Sequence, residues 1–239
     1  MKHLFFFSLL LFAGDSVAQL NTAPDLSTYD WVVPYTIDVV RNDEMETDQY
    51  YAVKKNKKWG AVNQQAQVII PIAYDTLIPF PGNFSIGAKK VKFGLLDLKG
   101  KELMPFRYDS MYSDYSRHLI AVMKNELGLV SDEGVELTPQ VYTRLTRQST
   151  YGCRCAQKNG RFAILSGAGK ELTAFAYDQL QNYEPPTDVW VLRKQGKWGF
   201  YDCEKQKEIS DFIYDDVTRF WVDGAEVIVK GVKKEIRLK

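Results

Sequence analysis

The sequence predicts an all-β fold: a tandem array of five three-stranded repeats, with a partial sixth. Three observations predict it. Doublets of a large apolar residue and a small one recur at Trp59-Gly60, Phe93-Gly94, Leu127-Gly128, Phe162-Ala163 and Trp198-Gly199, spaced 34, 34, 35 and 36 residues apart. A tyrosine follows each doublet by 15 residues, or 16 in the last copy: Tyr74, Tyr108, Tyr142, Tyr177 and Tyr214. Aspartate follows four of them, as Asp75, Asp109, Asp178 and Asp215, with Thr143 in copy three. Two anchors in register over five copies mark a repeat architecture. Finally, a proline or turn interrupts every dozen residues and no 3.6-residue period survives, which excludes helix.

The second copy shows the unit. Ile86–Lys90 predicts a strand and Val91-Lys92 a tight turn. Phe93–Asp97 follows as the second strand, Leu98–Lys101 as a turn, and Glu102–Met104 as a third strand closed by Pro105. The middle strand is apolar on both sides, so both faces need cover. Glycine in the doublet leaves room for a ring over the backbone, and the recurring tyrosine is the expected ring. The anchors Trp59, Gly60, Phe93, Gly94, Phe162, Trp198 and Gly199, with the five tyrosines, therefore read as packing residues.

Before the array, residues 1–18 read as a signal peptide: Lys2, an apolar run from Leu4 to Ala13, and Ser16-Val17-Ala18 before Gln19. The apolar run is about half of the roughly 20 residues a membrane span needs. Residues 19–49 read as a flexible lead, a strand pair at Trp31–Val33 and Tyr35–Ile37, and an acidic loop at Asn42–Asp48. The array occupies 50–222, and 223–239 form a degenerate cap. Stacking into an open solenoid of hairpins is expected, ahead of a closed propeller-like ring.

These residues resemble a known family. Lys57-Lys58-Trp59-Gly60-Ala61-Val62, then Val68-Ile69-Ile70-Pro71 and Tyr74-Asp75, are similar to the bacterial WG-repeat family, as is Gln195-Gly196-Lys197-Trp198-Gly199-Phe200-Tyr201-Asp202. The resemblance implies β-rich arrays acting as scaffold or binding modules, with no shared catalytic residues.

Chemistry in the residues is sparse. His118, in a connector, is the only histidine of the mature chain, which leaves little for a nucleophilic triad or a zinc site. No metal or other cofactor is expected. Repeated aspartates suit turns better than a catalytic pair, so a carboxylate-dependent hydrolase is the lesser alternative. Cys153, Cys155 and Cys203 allow one bridge at most, from either of the first two to Cys203, or serve as buried apolar residues.

Two surfaces are candidates for binding. Lysines near the hairpin turns, among them Lys54, Lys57, Lys89, Lys92, Lys194 and Lys197, would form a basic ridge for an envelope glycan or acidic polymer. Connector aromatics, with Tyr112, Tyr115 and Trp221 outside the repeat pattern, would anchor a protein partner. The net charge of +1 gives no pull toward nucleic acid. The expectation is an exported, non-catalytic module in the periplasm or outside the cell, binding another envelope or extracellular protein.

Overall fold

Among the described residues, six hairpins of this chain each turn on two residues held at positive φ. The pairs are Asn56-Lys57, Lys90-Val91, Lys124-Asn125, Asn159-Gly160, Gln195-Gly196 and Lys230-Gly231. Such turns match the right-handed twist of the strands they join. The second lies one residue before the expected Val91-Lys92. It holds Val91 at φ 60°, where a β-branched residue is rarely placed. The structure, a computed structural model, describes residues 24–238 apart from 42–43, 80–83, 114–117, 147, 150–151, 182–188 and 222. The expected signal peptide and Tyr115 lie outside the described residues.

The hairpins belong to six antiparallel sheets of three or four strands in simple meander order. The first holds β1 (Trp31–Arg41), β2 (Glu44–Lys55), β3 (Lys58–Asn63) and β4 (Val68–Tyr74). The second holds β5 (Thr76–Pro79), β6 (Phe84–Lys89), β7 (Lys92–Asp97) and β8 (Glu102–Tyr108). In the third are β9 (Ser110–Ser113), β10 (His118–Met123) and β11 (Glu126–Ser131); in the fourth, β12 (Arg144–Leu145), β13 (Cys153–Lys158) and β14 (Arg161–Ser166). The fifth contains β15 (Gln179–Gln181), β16 (Val189–Lys194), β17 (Lys197–Asp202) and β18 (Lys207–Glu208), and the sixth β19 (Asp216–Trp221), β20 (Gly224–Val229) and β21 (Val232–Arg237).

A first strand thus joins the three read from each copy. It follows the Tyr-Asp of the preceding repeat and pairs with the next hairpin, so Tyr112 and Trp221 stand on β9 and β19 rather than in connectors. His118 likewise opens β10. At the N-terminus, Trp31–Val33 and Tyr35–Ile37 form one continuous strand, because the hairpin with β2 runs unbroken from Trp31↔Lys54 to Arg41↔Glu44. That pairing also draws Glu44–Asp48 of the expected acidic loop into β2.

The two repeat anchors are a cross-strand pair. Trp59 faces Tyr74 and Phe93 faces Tyr108 in register, and Leu127–Tyr142, Phe162–Tyr177 and Trp198–Tyr214 form the same antiparallel bridge. Between this pair and the next the third strand bulges: Trp59↔Tyr74 is followed by Ala61↔Ile70, so Pro71, Ile72 and Ala73 arch past Gly60. Proline needs no ladder bond at a bulge, which is why β8 continues through Pro105 instead of ending there. At Gly60 and Gly94 the doublet glycine is covered by this bulged backbone, and at Gly199 by the ring of Phe212; the repeat tyrosine covers none of the three. A Cβ on Gly60 would stand 2.6 Å from Ile70 O, and one on Gly94 2.7 Å from Met104 O. The ring of Tyr74 instead lies against Gly87 of the second sheet.

Apolar cores fill the joints between consecutive sheets. Ala61, Ile70 and Tyr74 pack against Leu77 and Leu96; Ile86, Leu95 and Tyr108 against Met111, Leu119 and Val130. Tyr142 packs with Ala156 and Leu165, Phe162 and Tyr177 with Leu192 and Tyr201, and Phe200 with Val217 and Val227. Among the described residues no apolar cluster joins the first sheet to the sixth. No described helix is long and apolar enough to cross a membrane.

Candidate interaction surface

The repeat aspartate links three elements. Asp75 pairs through Oδ1 with Lys58 of its own repeat, while Oδ2 accepts the turn N–H of Lys90 in the next sheet at 2.7 Å. Asp109 repeats this with Lys92 and Lys124 N–H at 2.7 Å. Asp215 does so with Lys197 and Gly231 N–H at 3.3 Å, and Asp178 with Arg161 and Gly196 N–H at 3.2 Å. The lysine partners, then the turn N–H groups, hold the carboxyls of Asp75, Asp109 and Asp215 below the usual carboxylate range. Copy three has Glu126 for the base and Thr143 for the acid, and Thr143 bonds Gln157 O at 3.3 Å instead. Both halves of the clamp are replaced together.

One further Tyr-Asp pair escaped the sequence reading. Tyr29-Asp30 precedes Tyr74-Asp75 by 45 residues, beyond the repeat spacing because the β1–β2 hairpin is long. Asp30 Oδ2 accepts the turn N–H of Asn56 at 2.9 Å, and Asp30 N–H donates to Lys54 O at 2.8 Å, as Asp75 N–H does to Ala88 O. What was expected to be a flexible lead opens the array.

The lysines of the expected ridge are mostly engaged. Lys92 and Lys197 are clamp members. Lys89 lies 4.7 Å over the Tyr74 ring and 4.8 Å over Phe106, which themselves pack at 5.7 Å. Lys194 sits over Tyr177 and Phe212 in the same way, and pairs with Glu208 at 3.2 Å. Lys54 stacks on Trp59 at 5.4 Å. These ammonium groups seal the joints by cation–π attraction. Lys57 stands exposed at its turn.

Among the aromatic candidates, Tyr112 is open to solvent, whereas Trp221 lies half-buried with its indole against Gly224. Tyr112 is part of a series. Val33 pairs with Ala52, Ile78 with Ile86 and Tyr112 with Ile120, which is one structural position on the first strands of the first three sheets. These residues are 39%, 40% and 46% exposed. They hold equivalent, partly exposed places on the first strands of three successive sheets. Sequence reasoning missed Ile78 because its strand reads as a connector, and Val33 because it reads as part of a strand pair ahead of the array.

Where the clamp is missing, a different polar group fills the joint between the third and fourth sheets. Arg154 is fully buried and donates to Thr146 O at 3.5 Å and Gln148 Oε1 at 3.2 Å; the same oxygen lies 3.1 Å from Nδ1 of His118. The signal was an arginine where other copies have Ser85, Leu119 or Trp190. Across the next joint Cys153 and Cys203 form a disulfide, 5.9 Å between Cα atoms. Cys155 is a buried thiol whose pKa burial pushes up to about 12.

Among curated proteins, none matches this chain. Solved structures with similarity include a eukaryotic initiation factor, with 12% identity, TM-score 0.40, and coverage of 79% of this chain and 60% of that one. PorZ, a surface component of the type-IX secretion system of Porphyromonas gingivalis, is 10% identical at a TM-score of 0.32, over 84% and 35%. The WD40 domain of SCAP from fission yeast is 12% identical at a TM-score of 0.30, over 74% and 59%. The chain therefore spans less than two thirds of each of these. The sequence model of the WG containing repeat matches residues 59–86 and 93–127. With two units matched outright and the same anchor pair formed in all five copies, the chain carries WG-containing repeats.

Proposed function

We propose that this protein is an exported, non-catalytic repeat module that binds or scaffolds another envelope or extracellular protein. The observation that carries this reading is the exposed series of Val33, Ile78 and Tyr112. Aromatic and aliphatic side chains at equivalent places in successive sheets suit a protein surface better than a charged polymer. The basic ridge has lost most of its free charge to clamps and rings. The repeat carboxyls are held ionised, opposite to the upward shift a general acid needs. Export draws support from the residues at 1–18 and from the disulfide, which persists in oxidising compartments.

The test is co-sedimentation of the protein with envelope material, before and after protease treatment. Binding should vanish on protease treatment, resist salt, and weaken at least tenfold in an Ile78→Glu, Tyr112→Glu variant. Binding that survives protease and falls steeply with salt would establish glycan or acidic-polymer recognition in its place. Absence of binding would overturn the reading.

A further inference from the structure

The first strand of the first sheet is longer than any other first strand, and among the described residues it is paired on one side only. Elsewhere the first strands run two to six residues; β1 runs eleven, from Trp31 to Arg41. Free edges of this length template further pairing. Trp31 is 60% exposed, and Pro34, Thr36 and Asp38 are exposed beside it.

The sequence of β1, WVVPYTIDVVR, reads nearly alike in both directions about Thr36. An antiparallel copy centred there puts Val32 opposite Val40, Val33 opposite Val39, Tyr35 opposite Ile37, and Trp31 opposite Arg41. A Tyr–Ile cross-strand pair of this kind is favourable. The charge agrees as well: Asp38 meets no like charge across the pair. Pro34 and Asp38 are residues that usually blunt an edge, and in this register they fall opposite each other, confining the loss to one position per chain. Pro34 lies within a strand paired to β2 along its whole length, so its nitrogen faces outward. Thr36, two residues on, then presents its N–H and C=O outward at the centre of the pair.

We propose that β1 is a homodimer interface, in which two copies of this chain join edge to edge about Thr36 into one eight-stranded sheet. The added pairing continues the ladder of the first sheet. Sedimentation velocity of the purified protein is expected to show a dimer. Thr36→Cys should convert it to a disulfide-linked dimer under mild oxidation, since paired residues there stand about 5.5 Å apart. Lys101→Cys, exposed but distant, should not. Thr36→Pro, which removes only an outward N–H, should give a monomer with an unchanged circular-dichroism spectrum. A wild-type monomer at ~100 μM, where even weak edge pairing would register, overturns the proposal. So does a dimer that Thr36→Cys fails to crosslink or that Thr36→Pro leaves intact.

Discussion

A single aspartate does three jobs at each joint that carries the clamp. Asp109 neutralises Lys92, caps the β10–β11 turn, and donates its own N–H to Val122 O at 2.8 Å. Its carboxyl is held below its unfolded value of about 3.9, so its contribution is complete above that pH and is lost as pH falls through the folded value. The triple variant Asp75→Asn, Asp109→Asn, Asp215→Asn should therefore melt below wild type at pH 7, with the gap narrowing toward pH 2. A gap of constant size across that range would show that the charge is irrelevant. The role was half legible in sequence: aspartate after a strand reads as a turn former, but the turn it serves lies fifteen residues ahead, in the next sheet. Asp30 was invisible for the same reason, since the first hairpin is longer than the rest.

Strands and turns follow local rules more closely than their junctions do. The apolar middle strand and the hairpins were readable from alternation and from turn residues. The one-residue error at Lys90-Val91 arose because no glycine or asparagine marks that turn, and lysine with valine is the pairing it least favours. Pro105 was misread as a stop because a bulge and a strand end look alike in one sequence. The first strands stayed hidden because three to six residues beside a Tyr-Asp carry too little periodicity. Bulge and glycine are complementary shapes. Gly94→Ala should cost about 1–3 kcal/mol, as overpacking against backbone does, because Met104 O and Phe106 N cannot swing away as a side chain would. Chemical denaturation measures this, and a neutral result would mean that the bulge can flatten.

As a whole, the molecule is a chain of nearest-neighbour joints whose fastenings differ. The joints between the first and second and between the fourth and fifth sheets carry a Tyr–Phe stack under a lysine and a clamp, the latter adding the Cys153–Cys203 bridge, while the joint between the third and fourth is built on buried Arg154. The sequence left the pairing of the cysteines open, since Cys153 and Cys155 share a face and spacing alone does not choose between them. Reduction should destabilise the protein by about 2–4 kcal/mol. Limited proteolysis under reductant should then cut first between the fourth and fifth sheets, whereas uniform cutting would argue that the bridge is redundant there. The clamps carry a further meaning for how such a chain is made. Each aspartate caps a turn not yet synthesised when its own repeat is complete, so a growing chain holds one unsatisfied carboxylate at its leading end and passes that debt forward. Whole repeats can be inserted or removed without leaving more than that one group unmatched, a property that lets gene duplication lengthen the array without redesigning its joints.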